Sequence, residues 1–261
     1  KVGFIGGGNM GGALIGGLTQ KCCAPSDIAL YEKDAQKAAA FKEMGINTVE
    51  SASAAEAASE IIVFSVKPNI IDSVLSEMSG DKNKIYLSIA AGVTVAHLEE
   101  MLGADKKIVR AMPNTPAQVG CGMTVISPNK NVDDEDIKKV KMLLSAVGMV
   151  QQMDEKFMSV ATALHGSSPA YVYMFIDAMA DAGVKYGLTK QQALTLAAQA
   201  VAGSAEMVLA CGEHPEKLKD NVCSPGGTTI AAVCDLEKNG FRGIVQSAVC
   251  ACVDKADEMS K

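Results

Sequence analysis

Hydrophobic and polar positions follow two different periods along this chain. In its first half, short apolar runs alternate with stretches in which apolar residues recur at helical spacing. The apolar runs predict strands at KVGFIG, DIALYE, EIIVFSV, KIYLSIAAG and KKIVRAMPN. Helical spacing follows the first three runs, at NMGGALIGGLTQ, from Asp34 to Met44 and at NIIDSVLSEM. This alternation with short connections predicts βαβ units and a parallel, doubly wound sheet.

After about Gln152 only the helical period continues. One long Ala-rich segment has Thr189 as its expected N-cap and Gly212 just past its end, and residues 230–261 predict two more helices. These helices are apolar around much of their circumference, and such helices have to be buried on all sides. About 110 residues can hardly achieve this alone. We therefore predict an α/β domain over residues 1–152, an all-α domain over 153–261, and an obligate homodimer formed by the helical halves.

Composition narrows the class of protein. The 261 residues are 48% hydrophobic and 21% charged, which is typical of a globular chain. A net charge of −6, no run of Lys or Arg and only 4% aromatics argue against nucleic acid and anionic membranes as partners. No apolar run approaches the roughly 18 residues of a membrane span. The eight cysteines form no CxxC pair and the three histidines are scattered, so we expect no metal site, reduced thiols and a cytoplasmic location.

A glycine-rich turn follows the first predicted strand directly and opens the first predicted helix. Gly6, Gly8 and Gly11 give the GxGxxG spacing that binds the pyrophosphate of a dinucleotide at a helix N-terminus. A purely structural turn is the alternative. Glu32 ends the second strand, where a carboxylate accepts hydrogen bonds from ribose hydroxyls and repels a 2′-phosphate, which favours NADH. Lys33 next to it would attract that phosphate, and a solvated strand end is the alternative interpretation of Glu32.

A second glycine turn lies near the other end of the chain, in DNVCSPGGTTIAAV. Its residues Ser224 to Thr229 precede an apolar helical stretch, so the N–H groups of Gly226, Gly227 and Thr228 are expected to be unpaired at a helix start. Such groups bind anions. The alternative is a helix cap with no ligand.

Six segments together resemble the pyrroline-5-carboxylate reductase family. They stand in the family's order from Val2 to about Met259, and MPNTPA and SPGGTT are specific to it, whereas GxGxxG is not. The segments are GFIGGGNMG, SVKP, SIAAGV, RAMPNTPA, HGSSPAYVYMFIDAMADAGVKYGL and LKDNVCSPGGTTI. The resemblance implies an α/β N-terminal Rossmann-type dinucleotide-binding domain plus an all-α C-terminal dimerisation domain, with dimers that assemble into larger rings. It also implies reduction of the C=N bond of 1-pyrroline-5-carboxylate to L-proline by NADPH or NADH, the last step of proline biosynthesis.

The same resemblance implies the residues of two binding sites. The cofactor would contact Gly6, Gly7, Gly8, Asn9, Met10, Gly11, Val66, Lys67, Pro68, Ala90, Ala91 and Gly92. Glu32 joins these candidates through its own position at the end of the second strand. The substrate would contact Asn221, Ser224, Gly226, Gly227, Thr228 and Thr229, and the Thr229 hydroxyl would point at the ring nitrogen as the catalytic candidate. Arg110 and Asn114 are interpreted as structural or cofactor-side residues, and not as proton donors.

The chain departs from the family pattern at two positions. His165 stands where the family has a serine, and we interpret it as a packed helix residue with a hydrogen-bonded ring; a titratable group near the dimer interface is the alternative. Glu32 stands where many members carry a small or neutral residue suited to NADPH.

Two rival functions are disfavoured and a third stays open. A β-hydroxyacid dehydrogenase needs a lysine early in the first long helix of its second domain, and none occurs here before Lys185. A non-catalytic nucleotide sensor would have lost the second glycine turn. A six-membered cyclic imine differs by one methylene, worth only about 1–3 kcal/mol of discrimination, so it stays open as a substrate.

Overall fold

The computed structural model describes residues 1–259, and the chain divides into two compact units. The first unit is Lys1–Ser167 together with the chain from Val253 onwards. The second unit is Ser168–Cys252. The sequence-based domain boundary at residues 152 and 153 stays a prediction.

The first unit contains all eight strands found in the described residues. They are β1 Val2–Ile5, β2 Ile28–Tyr31, β3 Asn47–Thr48, β4 Ile61–Phe64, β5 Ile85–Ser88, β6 Lys107–Met112, β7 Gly122–Pro128 and β8 Gly148–Gln152. Its helices are α1 Asn9–Lys21, α2 Ala35–Glu43, α3 Ala52–Ala57, α4 Ile71–Leu75, α5 Val95–Leu102, α6 Asp134–Leu144 and α7 Met158–Ala161. Five 3₁₀ turns, at Pro25–Asp27, Pro68–Ile70, Thr115–Val119, Ser145–Val147 and Glu155–Phe157, and a π turn at Thr162–Gly166 complete it.

The sheet has the strand order β3-β2-β1-β4-β5-β6-β7-β8. β1 pairs in parallel with β2 on one side and with β4 on the other, so the chain winds outward in opposite directions from β1. Ligands of open α/β sheets bind at the carboxyl ends of the strands at such a reversal point. The predicted α/β sheet is confirmed, and its reversal point lies where the first glycine turn leaves β1.

The prediction of a wholly parallel sheet was wrong at one edge. β7 runs antiparallel to β6, and β8 then pairs with β7 in parallel. Roughly nine residues join β6 to β7, whereas a parallel crossover needs about a dozen or more. The chain therefore has to return along its neighbour. Sequence periodicity also missed β3, β7, β8, α3, α5 and α6, of which β3 has only two residues.

Each face of the sheet has its own apolar core. Phe4 of β1 points to the face covered by Leu14 and Leu18 of α1, and all three side chains are buried. Ile5 points to the opposite face, where it joins a cluster with Phe64 and Tyr86. Because side chains alternate across a strand, burial on both faces requires the continuous apolar runs seen in the sequence.

The second unit is helical, as the sequence predicts. Its helices are α8 Ser168–Lys185, α9 Lys190–Cys211, α10 Pro215–Val222, α11 Thr228–Lys238 and α12 Phe241–Met259, the last of which continues into the first unit. Thr189 caps α9 in a capping box with Gln192, and Gly212 ends it at φ +63°, so both expected caps are confirmed. The sequence over residues 158–187 has helical period throughout, which predicts one long helix, but the π turn at Thr162–Gly166 separates α7 from α8.

Large apolar side chains on the second unit remain exposed. The only residues of α8–α12 that are buried, within the described chain, are Ala180, Ala193 and Ala197. By contrast, Met174 is 74% exposed and Leu209 is 67% exposed. This is the pattern of helices without enough partners in one chain.

Helix α9 passes the length and hydropathy criteria for a membrane span. An 18-residue window within it has a mean hydropathy of 1.5. The sequence-based statement that no segment approaches such a span was therefore wrong for Lys190–Cys211. By length and composition alone this is weak evidence, because the core helix of an assembly passes the same criteria.

Candidate functional site

Two glycines of the first turn are required by the packing of the protein itself. Gly6 has φ +98°, and a Cβ there would lie 2.8 Å from the carbonyl oxygen of Ser65. A Cβ on Gly11 would lie 2.6 Å from the Gly6 carbonyl oxygen. The Ser65 hydroxyl donates to that same oxygen at 2.6 Å. Gly6 and Gly11 thus allow α1 to start directly against the ends of β1 and β4.

Gly8 is not required by packing. Its φ of −66° suits any residue, and a Cβ there would meet no atom within 4 Å. Gly8 is the N-cap of the 13-residue helix α1, and no side chain within residues 1–259 caps this helix start. The first N–H groups of α1 therefore face open space with their partial positive charge. A glycine that the fold does not need, at such a place, indicates close approach of an anionic ligand.

A cavity of about 230 Å³ opens beside this turn. It is lined by residues from the ends of β1, β2 and β4 and the turn after β4, among them Gly6, Gly8, Tyr31, Glu32, Lys33, Ser65, Val66, Lys67 and Ile70. Asn9, Met10 and Gly11 begin α1, and Pro68 begins the 3₁₀ turn after Lys67. Ala90, Ala91 and Gly92 follow β5, one strand further along the sheet, where Gly92 turns at φ +78°. All the predicted cofactor residues thus lie at the carboxyl ends of four strands that are adjacent in the sheet, or in the loops and first helical residues that follow them.

Glu32 is held in the wall of this cavity by two backbone hydrogen bonds. Its Oε2 accepts from the N–H of Gly7 at 2.6 Å, and its Oε1 accepts from the N–H of Asp34 at 2.9 Å. The carboxylate is therefore fixed at the glycine turn and is not a freely solvated strand end. Lys33 beside it is exposed.

The ring of Phe41 in α2 packs against the first glycine turn, and the sequence analysis did not predict this contact. A Cβ on Gly7 would lie 2.6 Å from Cε2 of the Phe41 ring. Gly7 lies outside the GxGxxG positions, so this contact explains why a third consecutive glycine stands there. The signal was absent from the local sequence because the two residues meet only after α2 has folded back onto the sheet.

Arg110 and Asn114 join elements of the first unit. Nη1 of Arg110 donates to Oε1 of Glu155 at 2.8 Å, and the same oxygen accepts the N–H of Val95 at 2.8 Å. The Asn114 side chain donates to the carbonyl oxygen of His165 at 2.9 Å and accepts the N–H of Met123 at 2.8 Å. Their side chains are occupied by internal bonds, which confirms the structural interpretation.

The ring of His165 is hydrogen-bonded on both sides. Nδ1 lies 2.5 Å from the carbonyl oxygen of Ala161, and Nε2 lies 2.8 Å from that of Met112. The residue sits in the π turn and joins it to the end of β6. Its interpretation as a packed helix residue with a hydrogen-bonded ring is confirmed.

A buried carboxylate outside both turns is also structural. Oε1 of Glu56 accepts the hydroxyl of Tyr86 at 2.6 Å, and its Oε2 accepts the N–H of Ser79 at 2.8 Å. Burial of the Tyr86 ring and its bond to Glu56 raise the pKa of the phenol above its usual value. The Tyr86 phenol therefore stays protonated throughout the working pH range, and its bond to Glu56 fixes α3 to β5.

The second glycine turn begins where α10 ends and continues into α11. Gly226 has φ +67°, a conformation that favours glycine, and a Cβ on Gly227 would collide with Oγ of Ser224. The expectation that the Gly227 N–H is unpaired was wrong, because it donates to the carbonyl oxygen of Ser224 at 3.0 Å and closes the turn. This bond forms because a Ser-Pro-Gly-Gly sequence folds into a β-turn before the helix starts.

The free donors lie one to three residues further on. No hydrogen bond from the N–H of Thr228, Thr229 or Ile230 occurs within the part of the chain that is described, and no side chain there caps α11. Three successive N–H groups at the start of an 11-residue helix can hold a carboxylate. Ile230 was missed in the sequence because its side chain is apolar and only its backbone contributes.

The remaining predicted substrate residues surround this helix start. Ser224 and the side chain of Thr228 are exposed, and Thr229 is partly buried. Asn221 lies exposed in the last turn of α10, just before the glycine turn. The second unit therefore places hydroxyl and amide groups beside three backbone N–H groups without a partner in the described chain.

Comparisons with known proteins agree over the whole chain. Residues 155–259 match the family model described as pyrroline-5-carboxylate reductase dimerisation. Residues 1–92 match the model described as NADP oxidoreductase, coenzyme F420-dependent. The pyrroline-5-carboxylate reductase of Escherichia coli (strain K12) is 49% identical over 265 residues, covering 100% of this chain and 98% of that protein. The one from Pisum sativum is 40% identical over 262 residues, covering 99% of this chain and 96% of that protein.

Solved structures give the same result. The crystal structure of a Plasmodium falciparum pyrroline carboxylate reductase with NADP bound has a TM-score of 0.89 and 38% identity, covering 100% of this chain and 98% of that one. A pyrroline-5-carboxylate reductase from Coxiella burnetii has a TM-score of 0.95 and 35% identity over the same shares.

Proposed function

The chain belongs to the pyrroline-5-carboxylate reductase family, and from this premise we propose which of its residues carry the reaction. The protein is an NAD(P)H-dependent oxidoreductase that reduces the C=N bond of 1-pyrroline-5-carboxylate to give L-proline in proline biosynthesis. The observation that carries the residue assignment is that the helix starts at Gly8 and at Gly227, each behind a glycine turn, have no capping side chain within residues 1–259. The helix start at Gly8 suits a pyrophosphate, and the helix start at Gly227 suits a small carboxylate.

The residues of the first turn fit a dinucleotide. Gly8 leaves open the space that a pyrophosphate needs, and the N–H groups that start α1 bind and orient it. Val66, Lys67 and the Ala90–Gly92 loop lie at neighbouring strand ends, where small or backbone groups let a flat ring approach. Bound NADPH or NADH supplies the hydride for the reaction.

The residues of the second turn fit the substrate carboxylate. The N–H groups of Thr228, Thr229 and Ile230 bind it, each with a charge-assisted hydrogen bond worth about 1.5–3 kcal/mol. Two such bonds fix the position of a small acid. Gly226 keeps the approach free of a side chain, and Pro225 pre-sets the turn.

The Thr229 hydroxyl orients the ring nitrogen of the bound imine. A protonated imine accepts a hydride far better than a neutral one, so the site has to tolerate a cationic nitrogen beside an anionic carboxylate. A threonine hydroxyl is a weak acid but a good hydrogen-bond partner. Thr229 therefore positions the nitrogen, and the proton comes from solvent or is present before binding.

Glu32 sets the cofactor preference in this proposal. With its carboxylate fixed at Gly7, a 2′-phosphate would meet a negative charge, whereas ribose hydroxyls would meet an acceptor. Replacing it, Glu32→Ser, is expected to raise the ratio of kcat/KM with NADPH to kcat/KM with NADH by about 10-fold. The measurement is dinucleotide oxidation with 1-pyrroline-5-carboxylate under both cofactors.

Glu43→Ser is the matched control for this experiment. Glu43 lies exposed in the last turn of α2, away from the cavity, and its replacement removes the same charge. An equal change of the NADPH-to-NADH ratio of kcat/KM in both variants, or no change of this ratio in Glu32→Ser, would show that Glu32 does not contact the ribose. Absence of dinucleotide oxidation by the wild-type protein would overturn the function itself.

The protein is a homo-oligomer with a dimerisation domain. We propose that it is an obligate homodimer and that such dimers join into a larger ring. The exposed apolar side chains of α8, α9 and α12 support this, because a stable monomer would leave them in water. Burying α9 between two subunits also accounts for its hydropathy.

Association is expected to be lost when one of these side chains becomes charged. Met174→Lys on α8 should lower the mass seen in dilute light scattering, and the wild-type midpoint of chemical unfolding should rise with protein concentration. Met142→Lys on α6 is the control, because Met142 is also a largely exposed methionine (66%) but belongs to the first unit. A folded wild-type monomer near 27.1 kDa would contradict the proposal.

The proposal includes a cytoplasmic location and no nucleic-acid or membrane partner. All eight cysteine thiols are free, as is typical of a reducing compartment. The net charge of −6 disfavours polyanionic partners.

A further inference from the structure

The second glycine turn has little to hold its own orientation. Its single internal backbone bond is the one from Gly227 to Ser224, and Gly226 beside it is exposed. No residue of the flanking helices α10 and α11 is buried, within the described chain. The direction of the turn therefore depends on what fixes these two helices to each other.

One guanidinium joins the two helices at the ends away from the turn. Nη2 of Arg242 donates to Oε1 of Glu216 at 2.7 Å, and its Nε donates to Oε1 of Glu237 at 2.7 Å. Glu216 lies in the first turn of α10, and Glu237 lies in the last turn of α11. No other side-chain hydrogen bond links α10 to the chain beyond the turn, within residues 1–259.

Further charges complete this cluster. Nζ of Lys219 donates to Oε2 of Glu216 at 2.7 Å, so both carboxylate oxygens of Glu216 are occupied. These bonds from Lys219 and Arg242 lower the pKa of Glu216 to about 2. A lowered carboxyl pKa means that the pairing is complete at neutral pH and is lost only as the pH falls through about 2. Glu216 therefore stays ionised wherever the enzyme works.

We propose that Arg242, at the start of α12, is a positioning residue for the substrate. By bridging Glu216 and Glu237 it fixes the angle between α10 and α11, and this angle determines the orientation of the second glycine turn. This inference rests on the proposed function of that turn. A planar guanidinium fixes two carboxylates in one geometry, which a lysine ammonium cannot do. Arg242 acts on the substrate carboxylate only through the helices, and it does not touch the reacting atoms.

The test is a kinetic comparison of Arg242→Gln with the wild type. The variant should raise KM for 1-pyrroline-5-carboxylate by about 3- to 10-fold, because displaced N–H groups bind the carboxylate less well. The KM for the dinucleotide should stay within about two-fold, and kcat should change less than KM. Arg242→Lys should recover little of the loss. Glu216→Gln should raise the same KM, and the double variant should be no worse than the worse single variant.

The control is Lys217→Gln. It removes the ion pair of Lys217 with Glu213 at 2.8 Å, which joins neighbouring turns and does not reach the chain beyond the glycine turn. Its kinetic constants should equal those of the wild type. If Arg242→Gln leaves KM for the imine unchanged, or raises both KM values together, the positioning role is overturned.

Gly226→Ala separates this inference from the proposed function. Alanine at φ +67° distorts the turn directly, so KM for the imine should rise. If it rises while Arg242→Gln has no effect, only the role of Arg242 fails. If Gly226→Ala has no effect, the turn does not bind the substrate and both statements fail.

Discussion

Replacing Gly8 by alanine is expected to weaken dinucleotide binding by about 10- to 100-fold while the protein stays folded, since one or more charge-assisted bonds to the pyrophosphate are lost. The backbone at Gly8 suits alanine, and the new methyl group would meet no protein atom within 4 Å. It would instead occupy the space in front of the first N–H groups of α1. Fluorescence titration with NADH and NADPH gives the dissociation constants, and circular dichroism checks the fold.

Gly16 offers a matched control for this experiment. It also lies in α1, and a Cβ there would likewise meet no atom within 4 Å. Alanine inside a helix is favoured over glycine by up to about 1 kcal/mol, so Gly16→Ala should fold well and bind dinucleotide normally. Equal affinity of Gly8→Ala and Gly16→Ala would show that the pyrophosphate does not lie against Gly8.

Removing the hydroxyl of Thr229 is expected to lower kcat/KM for 1-pyrroline-5-carboxylate by about 10- to 100-fold, because the ring nitrogen loses the group that orients it. Thr229→Val keeps the branched shape of the side chain and removes only the hydrogen-bonding oxygen. Dinucleotide affinity should not change, since Thr229 lies in α11 and the cofactor residues lie at the strand ends of the first unit. Steady-state kinetics with either substrate varied gives both quantities.

Thr229→Ser is the companion variant. It keeps the hydroxyl and removes the methyl group, so most of the activity should remain. A loss in Thr229→Ser as large as that in Thr229→Val would assign the effect to packing of the methyl group. A parallel loss of dinucleotide affinity in Thr229→Val would place this residue elsewhere.

Much of the architecture could be predicted because it depends on local patterns. Strands buried on both faces need continuous apolar runs, so β1, β4 and β5 were recognisable from the sequence. The α9 caps at Thr189 and Gly212 follow from local backbone chemistry. The antiparallel return of β7 was not recognised, because it follows from the length of a loop and not from periodicity.

In the candidate sites, too, features set by local sequence were predicted and features set by tertiary contacts were not. The spacing of Gly6, Gly8 and Gly11 was readable, but only the structure separates Gly8 from the two glycines that packing requires. The Gly227 N–H was misassigned because the closing bond to Ser224 depends on the turn geometry. The bond from Arg242 to Glu216 joins residues 26 apart in sequence and has no local signature, whereas its bond to Glu237 spans only five residues.

The central claim is that the two glycine turns hold different ligands: the first a dinucleotide, the second the substrate carboxylate. The most direct test is the rate of 1-pyrroline-5-carboxylate reduction by Gly8→Ala and Thr229→Val as the dinucleotide concentration is raised to saturation. We predict that the rate of Gly8→Ala approaches the wild-type rate at saturating dinucleotide. The kcat/KM of Thr229→Val for the imine should stay about 10- to 100-fold below the wild-type value even at saturating dinucleotide. Rescue of both variants by saturating dinucleotide, or of neither, would contradict the account.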